Sequence, residues 1–121
     1  MPRIFVCDDA PEYRHLVREV LRYEDDLEVV GEAGDGCECV DEVAGTEPDV
    51  VLLDLNMPRM DGLETLPRLR ILTPNAKVFV LTSGDAALHE QDAMDAGADA
   101  FIQKPMDAFD LAGMIRTAAA A

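Results

Sequence analysis

Two apolar stretches of the sequence run directly into carboxylates. Residues 4–7 are followed by Asp8 and Asp9, and residues 50–53 are followed by Asp54. Short apolar runs without alternation are typical of strands that are covered on both faces of a parallel sheet. The three acids would then lie at carboxyl ends of strands, which is the edge where open α/β sheets bind their ligands.

Three carboxylates at one edge of the sheet require a positive charge nearby. In a doubly wound sheet the first and third strands are neighbours, so Asp8, Asp9 and Asp54 converge. Such like charges raise one another's pKa and destabilise a fold unless a cation neutralises them. A few carboxylates and waters fit Mg²⁺ better than a calcium cage. The alternative, that Asp8 and Asp9 only cap the first helix, needs one acid and leaves the other two of the three unexplained.

A hydroxyl and an ammonium end two further strands. Thr82 follows the run VFVL and Lys104 follows AFIQ. Together with the acids and a divalent cation they predict a phosphoryl-transfer site, with Asp54 as nucleophile and Thr82 and Lys104 holding phosphoryl oxygens. Two simpler interpretations stay open: a surface ion pair of Lys104 with Asp8 or Asp9, and ordinary strand propensity for Thr82.

The elements that must position these residues alternate along the chain. Apolar runs predict strands at residues 4–7, 27–30, 50–53, 77–81 and 100–103. Helical spacing and breaker residues predict a helix after each strand, the fourth over residues 86–96. Pro67 should fall in the first turns of the third helix, and Cys37, Val40 and Ala44 on the inner face of the second. Five β-α units predict an α/β fold with a doubly wound, five-stranded parallel sheet.

Length and charge limit the possible functions. The 121 residues suit one domain over residues 1–121, and a net charge of −15 argues against direct nucleic-acid binding and against anionic membranes. No stretch has the length of a signal peptide or membrane span, so we expect a cytoplasmic protein. The three cysteines, Cys7, Cys37 and Cys39, are expected to pack rather than to bind metal.

The ordered fragments resemble the receiver domain of bacterial two-component response regulators. These fragments are Asp8-Asp9, Asp54 in LLDLNMPRMDG, Thr82 in VLTSG and Lys104 in AFIQKP, and the resemblance covers essentially the whole chain. It implies a flavodoxin-like strand order of 2-1-3-4-5.

The resemblance also implies a role for each residue. Asp54 matches the phosphoacceptor, and Lys104 matches the lysine that pairs with the phosphoryl group. Asp9 and Asp54 match direct Mg²⁺ ligands, Asp8 matches a ligand acting largely through water, and Asn56 matches the position that lends its backbone carbonyl. Thr82 and Phe101 match the switch pair, whose rearrangement on phosphorylation alters the face formed by the fourth helix, fifth strand and fifth helix.

The implied function is a phosphorylated signalling switch rather than an enzyme with its own substrate. Its partner would be a sensor histidine kinase or a phosphotransfer protein of a phosphorelay, and a phosphorylation-linked homodimer is plausible. Three alternatives remain: a haloacid-dehalogenase-type phosphatase, disfavoured because Asn56 replaces its second acid; a flavodoxin-like flavin binder, disfavoured by Asp8 and Asp9; and an adaptor that takes no phosphate. The chain is either a stand-alone receiver or the front of a longer regulator.

Overall fold

Strands and helices alternate along the described part of the chain, as the sequence predicts. The computed structural model describes residues 2–83, 88–104 and 107–120. Among these residues, no helix combines the length and the apolar character that crossing a bilayer requires. The elements are β1 (Arg3–Cys7), α1 (Pro11–Arg22), β2 (Glu28–Ala33), α2 (Gly36–Thr46), β3 (Val50–Leu53), α3 (Gly62–Leu72), β4 (Lys77–Thr82), α4 (Glu90–Asp95), β5 (Ala100–Gln103) and α5 (Ala108–Ala120).

The five strands form one parallel sheet in the order β2-β1-β3-β4-β5, which confirms the predicted fold class and strand order. Cys7 lies opposite Leu53 across the β1–β3 pair, so Asp8 and Asp54 are the next residues on neighbouring strands. Leu53 is in turn paired with Val80 of β4. This register places the two acids side by side at the carboxyl edge of the sheet.

Helices cover both faces of the sheet, and each face has its own apolar core. All four residues of β3 are buried, which accounts for its unalternating sequence. One core includes Phe5, Val51 and Val80 with residues of α2, α3 and α4. The other includes Ile4, Leu52 and Phe79 with residues of α1 and α5. The strand that ends at Asp54 is therefore held from both sides.

Two glycines allow the helices to approach this strand closely. A Cβ on Gly62 would lie 2.4 Å from the backbone oxygen of Asp54, and one on Gly36 would lie 2.2 Å from Oγ1 of Thr65. Real Cβ atoms do not approach other atoms so closely, so only glycine fits at either position. Gly62 thus lets α3 begin directly against the segment that carries Asp54.

The predicted inner face of α2 is wrong. The buried residues of this helix are Gly36, Cys39 and Val43, whereas Ala44 is exposed and Cys37 and Val40 are only half-buried. Both sets of residues have helical spacing, so periodicity alone did not distinguish them. The buried set wins because the close approach at Gly36 turns that side of α2 toward α3.

Two predictions about helices can be compared with the described boundaries. Asp61 caps α3 by accepting a hydrogen bond from the Glu64 amide, so Pro67 is the sixth helical residue and lies beyond the first turn. Because proline has no backbone N–H, one backbone hydrogen bond is missing from the interior of the helix. In the fourth helix, the predicted start at residues 86–87 lies outside the described residues, and the described part spans Glu90–Asp95.

Candidate functional site

The three predicted carboxylates meet at the carboxyl edge of the sheet. One oxygen from each of Asp8, Asp9 and Asp54 lies within 4.8 Å of the other two. Asp8 is 2% exposed and Asp54 is 6% exposed, whereas Asp9 is open to solvent. Oxygen atoms at this spacing can share one hard divalent cation, with Asp9 on the side from which the cation would enter.

The two oxygens of Asp54 have different surroundings. Oδ1 accepts a hydrogen bond from Oγ1 of Thr82 at 3.0 Å and one from the backbone amide of Asn56 at 3.2 Å. Oδ2 faces Nζ of Lys104 at 3.7 Å. Two donors therefore fix the orientation of the carboxylate through Oδ1, while Oδ2 is directed toward the ammonium group.

Lys104 is a partly enclosed member of the site. Its Nζ donates to Oδ2 of Asp8 at 2.5 Å, and its side chain is only 15% exposed. The same ammonium lies 4.1 Å from the centre of the Tyr13 ring, within the range of a cation–π contact. The ion pair with Asp8, which the sequence left open as a simpler interpretation of Lys104, does form, but the pair is enclosed and not on the open surface.

Burial dominates the electrostatics of Asp54. Loss of water raises the pKa of this carboxyl, and the charge of Asp8 adds to the rise. The ammonium of Lys104 and the donors from Asn56 and Thr82 act in the opposite direction. Burial and the two acids also raise the pKa of Tyr13 to about 12, so its hydroxyl stays protonated.

The capping alternative for Asp8 and Asp9 is wrong. The N-cap of α1 is Ala10, and no side chain caps this helix. Oδ1 of Asp8 instead accepts a hydrogen bond from the Ala10 amide at 2.9 Å, which holds the turn between β1 and α1. The turn directs Asp8 toward Lys104 rather than along the helix axis.

The remaining predicted residues lie around this centre. Asn56 is exposed two residues after Asp54, beside a cavity of about 450 Å³ that Asp9, Met57 and His89 also line. Phe101 is half-buried, packs against the core beneath α3 and α4, and pairs with Val80. The cavity gives a small molecule or a partner side chain access to the exposed edge of the cluster.

Sequence reasoning missed three contributors to the site. Tyr13 follows the acids by one helical turn and its ring contacts Lys104, but its spacing in the sequence is that of any residue on the face of a helix. Met57 contacts Sγ of Cys7 through its sulfur at 3.3 Å, beneath the acids. Gly62 makes room for the Asp54 backbone. The segment MDG after Asp54 was the only sequence signal for that close approach.

The sequence of the chain matches the model of a known protein family. The model of the response regulator receiver domain matches residues 4–116. The chain belongs to this family. The assignment confirms the resemblance and replaces the phosphatase and flavin-binding alternatives, which named other families.

Individual relatives agree with the family. The nitrate/nitrite response regulator proteins NarP and NarL of Escherichia coli K12 are 40% and 38% identical to the chain over 97% of its length. These matches cover 54% of each relative, so the receiver chain spans about half the length of the curated relatives it matches.

Solved structures show the same fold. The receiver domain of the putative response regulator NarL from Mycobacterium tuberculosis superimposes with a TM-score of 0.90 at 29% identity, covering 99% of this chain and 97% of that one. A CheY-like receiver domain protein from Methanospirillum hungatei JF-1 gives 0.91 at 27% identity, covering 99% and 94%. The chain is thus a receiver domain of two-component signalling.

Proposed function

We propose that Asp54 is the phosphoacceptor of this receiver. The observation that carries the proposal is the setting of its carboxylate: nearly buried at a strand end, fixed through Oδ1 by Thr82 and Asn56, and facing Lys104 through Oδ2. A nucleophile held in one orientation by a rigid strand meets the geometric requirement for in-line attack.

The reaction is a displacement at phosphorus. An oxygen of Asp54 forms a bond to the phosphorus of a phosphohistidine, the phosphorus–nitrogen bond breaks, and the electron pair leaves with the imidazole. The product is an acyl phosphate. Lys104 lies where its ammonium can pair with the new phosphoryl oxygens, and the Thr82 hydroxyl can transfer its hydrogen bond to one of them.

We further propose Mg²⁺ as the cofactor. The site is all oxygen, rich in carboxylate and open at Asp9, which suits this ion. Asp9 and Asp54 would hold it directly, Asp8 largely through water, and Asn56 through its backbone carbonyl. When bound, the ion would neutralise the charge on the acids and on the transferred phosphoryl group.

The signalling steps complete the proposal. The donor is a sensor histidine kinase or a phosphotransfer protein, and the receiver itself supplies the residues for phosphotransfer and dephosphorylation. Thr82 and Phe101 would carry the change to the face of α4, β5 and α5, where a phosphorylation-linked homodimer forms. Three free cysteines suit the reducing cytoplasm, and the charge of −15 disfavours direct nucleic-acid contact by this chain.

The decisive experiment is labelling by a small phosphodonor with Mg²⁺ present. We expect incorporation of one phosphoryl group by the unmodified chain and none by Asp54→Asn. The matched control is Asp41→Asn, on the exposed side of α2, which should label normally. Persistent labelling of Asp54→Asn at equal stoichiometry would refute the assignment.

The metal and the homodimer have separate tests. Mg²⁺ should raise the unfolding temperature of the unmodified chain, because a ligand that binds only the folded state stabilises it, and Asp9→Asn should reduce the rise. An equal rise in the unfolding temperatures of the unmodified chain and Asp9→Asn would show that Mg²⁺ does not bind at this site. Sedimentation with and without beryllofluoride, a phosphoryl mimic, tests the dimer; an unchanged monomer would contradict it.

A further inference from the structure

The side chain of Lys104 reaches along the edge of the sheet to its partners. Lys104 directly follows β5, and its backbone amide donates to the backbone oxygen of Thr82 at 2.8 Å. Its ammonium bonds to Asp8, which follows β1, although β3 and β4 lie between these two strands. A lysine side chain gives up much rotamer freedom when it is held in one position. The place of its ammonium therefore depends on the groups that surround it.

The aromatic ring of Tyr13 is one of these groups. Nζ of Lys104 lies 4.1 Å from the ring centre, 2.5 Å from Oδ2 of Asp8 and 3.7 Å from Oδ2 of Asp54. Tyr13 belongs to the first turn of α1 and packs against the apolar core beneath α1 and α5. The ring is thus anchored to the fold where it meets the ammonium.

Water is excluded from the space between the ring and the acids. The gap that Tyr13 shares with Asp8 and Asp54 is too small to hold a water molecule, and apolar side chains of β3 and β4 also line it. A π-face attracts a cation more strongly when the cation has lost its water. Because the hydroxyl of Tyr13 stays protonated at neutral pH, the attraction comes from the ring face and adds no third negative charge.

A ring holds an ammonium group differently from a carboxylate. Hydrogen bonds to carboxylate oxygens weaken steeply when they bend, whereas attraction to a π-face extends to about 6 Å from the ring centre. The ammonium of Lys104 can therefore shift from Asp8 toward a phosphoryl group on Asp54 and keep its contact with Tyr13. A further carboxylate in place of the ring would compete with the phosphoryl group for the same N–H donors.

We propose that Tyr13 is a positioning residue for phosphotransfer, whose ring face keeps the Lys104 ammonium within reach of the incoming phosphoryl oxygens. This role rests on the proposed function of Asp54 and Lys104. It requires an aromatic ring and not a hydroxyl. A residue that only fills the core beside α1 would be replaced equally well by leucine, so the two interpretations predict different outcomes.

The test compares the rate of labelling by a small phosphodonor with Mg²⁺ present. Tyr13→Phe keeps the ring and should label at nearly the rate of the unmodified chain. Tyr13→Leu fills similar space without a π-face and should label about fivefold more slowly. The matched control is Tyr23→Leu, at the end of α1, where the side chain is 80% exposed and the rate should not change. Equal rates for Tyr13→Leu and the unmodified chain would overturn the proposal.

A double-mutant cycle shows whether the ring acts through the ammonium. In a Lys104→Met background, Tyr13→Leu should cause no further loss of rate, because the group that the ring positions is gone. The same fivefold loss in both backgrounds would mean that the ring only supports the fold, and would overturn the proposal. Fluorinated phenylalanine at position 13 keeps the shape of the ring and weakens its π-face, so the rate should fall as fluorines are added. A rate that ignores fluorination would also contradict the role.

Proton NMR of the metal-free chain gives a readout that needs no reaction. The ring current should shift the Lys104 methylene protons next to Nζ upfield in the unmodified chain and in Tyr13→Phe, but not in Tyr13→Leu. Equal shifts in all three would overturn the contact. An unmodified chain that takes no label would overturn the proposed function and this role together, whereas normal labelling with equal rates would remove only the role of Tyr13.

Discussion

At the scale of single residues, the central feature is a carboxylate that is buried before it reacts. Asp54 is almost fully enclosed, and burial raises its pKa more than Lys104, Asn56 and Thr82 lower it. At neutral pH the folded chain therefore keeps a negative charge at a buried position, where a neutral side chain would cost less free energy. Part of the stability of the domain is given up at the residue that we propose as phosphoacceptor.

This cost predicts a pH-dependent gain from Asp54→Asn. A carboxyl whose pKa is higher in the folded than in the unfolded state contributes stability that is full below its ordinary value of 3.8 and is lost as pH rises through the folded value. The substitution should therefore stabilise the domain at pH 7, and less at acid pH. Urea unfolding across this range measures the difference.

The exposed Asp41→Asn is the control for that measurement, and its effect on the free energy of unfolding should be small. A loss of stability in Asp54→Asn at pH 7 would show that the attraction between Asp54 and Lys104 outweighs the burial of the carboxylate.

The hydroxyl of Thr82 predicts a second residue-scale effect. It donates to Oδ1 of Asp54 from a fully buried position, and a donor to the charged form favours that form. Thr82→Val keeps the shape and removes the donor, so the pKa of Asp54 should rise further. Thr82→Ser should leave it nearly unchanged. Carbon-detected NMR titration of the Asp54 carboxyl would follow both, and equal pKa values in the two variants would exclude a role for the bond.

At the scale of elements, close packing of α2 and α3 sets where the helices can lie. Gly36 is the point of contact, since its amide donates to the backbone oxygen of Met60 at 3.1 Å and a Cβ would overlap both that oxygen and Thr65. Gly45, near the other end of α2, has no atom near its virtual Cβ. One helix thus has one glycine that is required and one that is not.

The two glycines predict opposite effects of the same substitution. Gly36→Ala should destabilise the domain by about 1–3 kcal/mol, because neighbouring backbone must move. Gly45→Ala should stabilise it by about 0.5–1 kcal/mol, because alanine reduces the entropy of the unfolded chain and favours helix. Denaturant midpoints measure both. Stabilisation by Gly36→Ala would show that α2 and α3 can separate without loss.

At the scale of the whole molecule, net charge opposes compactness. The chain has 25 acidic and only 10 basic residues, so ion pairs cannot neutralise all of its negative charge. Several pairs do form, including Arg14 with Glu32, Arg70 with Asp99 and Arg116 with Asp26, but most involve exposed groups of small net value. Repulsion among the remaining acids acts over the whole domain.

Screening should therefore stabilise the protein. Raising NaCl from about 0.02 M to about 0.5 M shortens the Debye length from about 20 Å to about 4 Å, and the unfolding temperature should rise by several degrees. Tetramethylammonium chloride should act alike, because screening needs no specific cation. A fall in unfolding temperature would mean that the ion pairs outweigh the repulsion.

The sequence by itself determined the order of the elements, the parallel sheet and the identity of the acids. Apolar runs without alternation marked buried strands, and Asp8, Asp9 and Asp54 follow two of them directly. This information is local, because the types of consecutive residues indicate both that a strand is buried and where it ends. The meeting of the acids then follows from the register of neighbouring parallel strands.

Only the tertiary structure decided the features that depend on side-chain direction and distance. It placed Tyr13 under Lys104, gave Thr82 and Lys104 different oxygens of Asp54, and chose Cys39 rather than Cys37 for the core. Helical spacing is compatible with burial of either face of α2. No local sequence pattern specifies which side chains will contact residues of another strand. These choices are made by close packing across the sheet, between residues far apart in the chain.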